Sequence, residues 1–226
     1  MATVEQRPAH VQDEHLAPSG GIVLKDIPWA LYEALRDLEE NWHIKMTYDD
    51  GVLELMSPSP KHESLKTRIG RLIEALTEEL RIPIEGFGST TWKRPDNRGG
   101  LEADTCYYIV NEPLVRGKEE IDQQLDPPPD LAVEIEVSRS AVAKVPIYAG
   151  LHVAEIWRCD GKSLRTFHLT PGGEYVEQEL SLNLPFLRVA DLVPFLARRR
   201  GADSNAWIGE FRAWVRERFG TGISGR

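Results

Sequence analysis

Glu134 and Glu136 stand two residues apart in the stretch VEIEVSRS (133–140), where apolar and polar residues alternate. That alternation is the period of a β-strand, so both carboxylates project from one face, about 7 Å apart. A second stretch, LEADTCYYIV (101–110), puts Glu102 and Asp104 on one face and Leu101, Ala103 and Thr105 on the other. Like charges this close repel and raise a carboxyl pKa unless a cation or water lies between them. Two neighbouring strands with such faces would form an oxygen-rich cluster for a hard divalent cation. Mg2+ takes one or two carboxylates and completes its shell with water and substrate phosphate. A solvated sheet face is the other reading of the same pattern.

The elements around these strands follow from periodicity. Residues 26–42 carry Trp29, Leu31, Leu35 and Leu38 at helical spacing after Asp26. HIKMTYDDGVLELMSPSP alternates on both sides of Asp50-Gly51, a hairpin signal, and its Ser-Pro repeat ends the hairpin. Residues 61–81 place Leu65, Ile69, Leu72, Ile73, Leu76 and Leu80 on one stripe, a long amphipathic helix stopped by Pro83. Strands are expected at 84–92, 101–110 and 131–138, with a loop over 111–129. A short helix over AKVPIYAGL, a hairpin turning at Asp160-Gly161, a strand in EYVEQELSL and two terminal helices complete the order. The result is an α/β fold, a central mixed β-sheet flanked by helices. Residues 1–20 read as a flexible tail, 21–200 as the α/β domain, and 201–226 as a helix packing on the core or on a dimer partner.

Bulk composition limits the possibilities. A chain of 226 residues with 41% hydrophobic and 28% charged residues can bury one sizeable core. No apolar run approaches the roughly 18–20 residues needed to span a bilayer, and the polar N-terminus has no secretory apolar segment. Cys106 and Cys159 lack metal-type spacing, which points to a reducing cytoplasm. A net charge of −9 argues against wholesale coating by nucleic acid while allowing local basic patches.

YDDGVLELMSPSPKHE, LEADTCYYIV and PDLAVEIEVSRSAVAKVPIYAGLHVAEIWRCDGKSL resemble successive blocks of the Uma-two family, bacterial restriction endonucleases within the PD-(D/E)xK nuclease superfamily. The resemblance runs from about residue 26 to about residue 197 and implies a restriction-endonuclease-like core. It assigns Asp104 to the superfamily's metal-binding aspartate and Glu134 to the acidic residue of the (D/E)xK element. Glu136 stands where that element has its lysine, and Lys144, four residues before Tyr148, is the substitute. Glu63 matches an acidic residue that some members contribute from their first core helix. The implied chemistry is phosphodiester hydrolysis in DNA, with Mg2+ or Mn2+ held by Asp104, Glu134 and Glu136. The metal would activate water, and Lys144 would orient that water or stabilise the transition state.

Other residues read more plainly. His62, at a helix start, is expected to be solvated, and His152 should force an adjustment of a helix cap that favours glycine. Trp157, Trp207 and Trp214 read as core or interface. Lys93, Arg94 and Arg98, around the loop RPDNRGG, are the best candidates for a DNA-backbone contact. Residues 197–200 (ARRR) read as the basic end of a helix. Two further functions stay open: a catalytically degenerate dimer acting as a DNA-binding or regulatory module, and a sugar- or nucleotide-binding sheet protein. The C-terminal apolar face (Trp207, Ile208, Phe211, Trp214, Val215, Phe219) adds the expectation of a homodimer.

Overall fold

The structure, a computed structural model, describes residues 17–18, 21–94, 99–140, 142–197 and 203–220. Most of the expected N-terminal tail, Arg98 and residues 198–200 lie outside that set. Chain order begins with β1 (Ala17–Pro18), β2 (Ile22–Leu24) and α1 (Trp29–Asp37). The hairpin β3 (Lys45–Asp49) and β4 (Val52–Met56) follows. Asp50 and Gly51 both have positive φ, 36° and 91°, as a two-residue hairpin turn matched to strand twist requires.

Helix α2 (Pro60–Leu80) starts where Ser59 Oγ accepts from the His62 amide and Pro60 fills the first turn. It ends at Arg81, which adopts the left-handed conformation. Next come β5 (Glu85–Gly88), β6 (Thr91–Arg94), β7 (Gly99–Glu102) and β8 (Thr105–Tyr108). After the one-turn α3 (Glu112–Val115) the chain enters β9 (Leu131–Ile135), β10 (Ser138–Arg139) and α4 (Lys144–Gly150). Strands β11 (Glu155–Cys159), β12 (Leu164–Leu169) and β13 (Tyr175–Gln178) lead to α5 (Val193–Leu196) and α6 (Ser204–Phe219).

The α/β class and the mixed sheet with flanking helices are as expected, but the strands divide between two larger sheets. Among the described residues one has six strands in the order β13-β12-β11-β9-β8-β5, the other five in the order β2-β4-β3-β7-β6. Only β9 and β11 run parallel in the first, joined through α4, while the second is antiparallel throughout. The two continuous strands expected at 84–92 and 101–110 are each broken. Strands β5 and β8 pair in the six-stranded sheet, whereas β6 and β7 pair in the five-stranded one. Both stretches therefore cross from sheet to sheet, at 89–90 and at 103–104. Ser89 Oγ, donating to the Asp104 carbonyl at 3.1 Å, ties the two crossings together.

One face of the six-stranded sheet, with Tyr107, Leu131, Val133, Ile135 and Trp157, packs under α2 and α6. Trp207, Phe211 and Val215 of α6 are buried there, and Arg212 and Arg216 pair with Glu79 of α2. The opposite face, with Cys106, Tyr108, Ala132 and Ile156, packs on Ile147 and Tyr148 of α4 and on Trp92 and Leu101 of the other sheet. His152 itself takes the left-handed conformation, φ 57°, so the cap that favours glycine is kept and not adjusted. Among the described residues no helix is long and apolar enough to cross a membrane.

Gly100 is where α1 meets the five-stranded sheet. A Cβ there would overlap Tyr32 Oη, and Tyr32 is fully buried between the Trp29 and Tyr48 rings. Gly100→Ala should therefore cost about 1–3 kcal/mol, the usual range for overpacking. A urea midpoint equal to wild type would show that α1 shifts freely instead.

Candidate active site

Strand β8 pairs with β9 only as far as Thr105 opposite Val133. One residue further, where the sheets part, Asp104 stands beside Glu134. The ladder has no backbone acceptor for the next amide, and Asp104 supplies one: the Ile135 N–H donates to its Oδ2 at 2.6 Å. The side chain is 1% exposed. On Oδ1 it meets the ammonium of Lys45, from β3 of the other sheet. His62 Nε2 lies 3.0 Å from the same oxygen, close in distance but without hydrogen-bond geometry. Burial pushes the Asp104 carboxyl up, yet Lys45, His62 and Lys144 outweigh it and hold the group well below the usual carboxylate range.

Glu134 is equally enclosed, and α4 serves it. Lys144, the first residue of α4, donates to Oε2 at 2.6 Å, and the Tyr148 hydroxyl one turn later donates to Oε1. Residues four apart share a helix face, so this pair addresses one carboxylate, and Pro146 fits the first turn. Burial disfavours the Lys144 ammonium, but Glu134 and Asp104 more than compensate and raise its pKa. The same burial, with the Glu134 charge beside it, keeps the Tyr148 phenol protonated.

The remaining acidic candidates are arranged differently. Glu136 lies just past β9, where Arg158 Nε donates to its Oε1 at 2.5 Å. Glu102, at the end of β7 before the chain crossing, pairs with Arg36 at 3.3 Å. Burial raises its pKa, opposed by Arg36, Lys45 and Lys66. Glu63, 49% exposed, touches His62 Nδ1 at 3.1 Å, and that ring in turn lies beside Asp104. Each carboxylate of the expected cluster thus has its own cationic side chain: Arg36 for Glu102, Lys45 for Asp104, Lys144 for Glu134, Arg158 for Glu136. The repulsion read from the strand faces is met within the protein.

His62 is buried, not solvated as its place at a helix start suggested. Lys45 escaped the sequence reading because a lysine in a hairpin strand normally faces solvent. Nothing local announces that a second sheet folds over it. Lys93, in the proposed DNA loop, pairs with Asp37 of α1 at 3.1 Å. Trp157 and Trp207 are core residues whose indole N–H groups bond Glu155 and the Phe195 carbonyl.

The family model "Uma2: Putative restriction endonuclease" matches residues 29–199. The chain belongs to this family. The Uma2 match spans α1 to just beyond α5, so it contains Lys45, His62, Asp104, Glu134, Lys144 and Tyr148 but not α6. A crystal structure of "a putative nuclease belonging to DUF820" from Anabaena variabilis ATCC 29413 is similar, with 14% identity, 84% of this chain and 99% of that one covered, and a TM-score of 0.49. No curated protein matches the chain.

Proposed function

We propose that this Uma2 protein is a DNA endonuclease that hydrolyses phosphodiester bonds with Mg2+ or Mn2+ at Asp104 and Glu134. The observation that carries the reading is the pair of buried carboxylates at the end of the β8–β9 ladder, each in contact with a lysine. The donor chemistry fits a hard cation. Among the described residues no three His, Cys, Asp or Glu side chains form a group that could hold a metal ion. An ion here would rest on two carboxylates, water and substrate phosphate, as Mg2+ commonly does. When bound, it would supply an acidified water and charge neutralisation at the phosphate.

The chain's own groups divide the remaining work. Asp104 is fixed by the Ile135 amide and Glu134 by Tyr148, so neither needs to reorganise. Lys144 holds a positive charge beside Glu134, where it would orient water or oppose charge developing on phosphate. Glu136, engaged by Arg158, is the less available third ligand. Glu63 acts on the site by orienting His62.

A second reading, a nuclease-fold protein that binds DNA or a regulator without cutting, is favoured by Glu136 at the motif's lysine position. The depth of Asp104 and Glu134 favours it as well. Nicking of supercoiled plasmid with Mg2+ or Mn2+ separates the two. Metal-dependent nicking that falls on the order of 10^2-fold or more in Asp104→Asn and Glu134→Gln supports the enzyme. DNA retention in a gel shift with no nicking by wild type supports the module.

The reading includes a cytoplasmic homodimer. Since α6 packs on its own chain, the dimer contact would fall elsewhere, and Val176, Leu180 and Leu182, exposed beside edge strand β13, offer one apolar surface.

A further inference from the structure

We propose that Arg158 and Arg165 form a phosphate-binding track that carries the DNA backbone from Glu134 toward the edge of the six-stranded sheet. The idea rests on the reading of the protein as one that binds DNA, and adds where the backbone runs. Strands β9, β11 and β12 are neighbours, and their register sets Glu134 opposite Arg158 and Arg158 opposite Arg165. Residues opposite one another on adjacent strands share a face, so the three make one row that starts at the candidate site. The usual strand spacing puts Arg165 roughly 10 Å from Glu134 along that row. The row also climbs out of the protein. The side chain of Glu134 is 4% exposed, that of Arg158 13% and that of Arg165 35%.

Two arginines directly opposite one another are unfavourable in a sheet, because like charges there repel. Both guanidinium groups stand over the ring of the buried Phe167, at 5.6 Å from its centroid for Arg158 and 5.0 Å for Arg165. Such a ring attracts a cation through its face without using up N–H donors. Glu136 accepts from Arg158, and the exposed Glu177 accepts from Arg165 at 2.7 Å. An ion pair as exposed as Arg165–Glu177 is weak, so a phosphate can take the place of that carboxylate. The planar fork of arginine matches phosphate oxygens two at a time. Successive phosphates of one DNA strand advance about 3.4 Å along the helix axis, so the row is long enough to follow about three of them.

The test is fluorescence anisotropy with a short labelled DNA duplex across a range of salt concentrations, in EDTA and again in Ca2+. Wild type is compared with Arg165→Gln, Glu177→Gln and the double variant. Arg165→Gln should bind several-fold more weakly and lose about 0.9 from the slope of log affinity against log salt, the value of one phosphate contact. Glu177→Gln, which releases Arg165 from its carboxylate, should bind several-fold more tightly. The double variant should gain nothing over Arg165→Gln, since Glu177 acts through the arginine. Where Arg165→Gln does not fold, the gain in Glu177→Gln decides by itself. A gain from Glu177→Gln that persists without Arg165 would overturn the track, because it would reflect only the loss of a negative charge. Equal affinities and slopes in all four proteins would also overturn it and leave the DNA reading standing. No DNA binding by wild type in either condition would overturn both.

Discussion

Asp104→Ala should lower stability by about 3–5 kcal/mol, because it leaves the buried Lys45 ammonium unpaired and the Ile135 amide without its acceptor. For a chain of this size that is a fall in Tm of roughly 6–20 °C. The sign is the informative part. Were Glu102, Asp104, Glu134 and Glu136 an uncompensated acidic cluster, removing one charge would stabilise the apo protein.

The pH dependence points the same way. The Asp104 pKa is depressed, so its contribution is complete above the ordinary carboxyl value, about 3.9, and is lost as pH falls through the lower folded value. The Lys144 pKa is raised. Its contribution is complete below about 10.4 and is lost as pH rises through the higher folded value. The gap between wild type and Asp104→Ala should therefore stay level from about pH 5 to pH 9 and close only in stronger acid. Urea unfolding across that range measures it. A gap that reverses sign, or that already closes between pH 6 and pH 5, would mean that the Lys45 pair does not stabilise the site.

Lys144→Met should cause a loss on the order of 10^2-fold or more in single-turnover nicking, the scale seen when one transition-state donor is removed. Tyr148→Phe should lose much less, since it deletes one neutral donor to Glu134 and leaves the ammonium in place. DNA affinity, measured by gel shift, should change little in Lys144→Met if the lysine acts in the transition state and not in ground-state binding. A Lys144→Met enzyme that nicks at the wild-type rate would remove Lys144 from the mechanism. It would leave Lys45 as the cation to test next.

The features legible in the sequence were local. Alternation around Asp50-Gly51 and Asp160-Gly161 specified two hairpins, because turn chemistry and a two-residue period act over a few residues. The leucine and isoleucine stripe specified α2, whose buried face is Leu65, Ile69, Leu72, Ile73 and Leu76. The blocks around Asp104 and Glu134 carried the family. The order of β9, α4 and β11 placed Lys144 after Glu134 in sequence, but not the contact between them.

Contacts between distant segments set the remainder. In 101–105 the alternation runs unbroken, so nothing local marks the crossing at 103–104 that sends β7 and β8 to different sheets, with Glu102 on β7 and Asp104 in the crossing. Lys45 lies 59 residues from Asp104 in the chain, and His62 looked like a surface residue. Both reach Asp104 only because the five-stranded sheet and α2 lie over the end of β8. The charge balance of the four acids was illegible for the same reason. Each acid found its cation on another element, and only packing brings such a pair within reach.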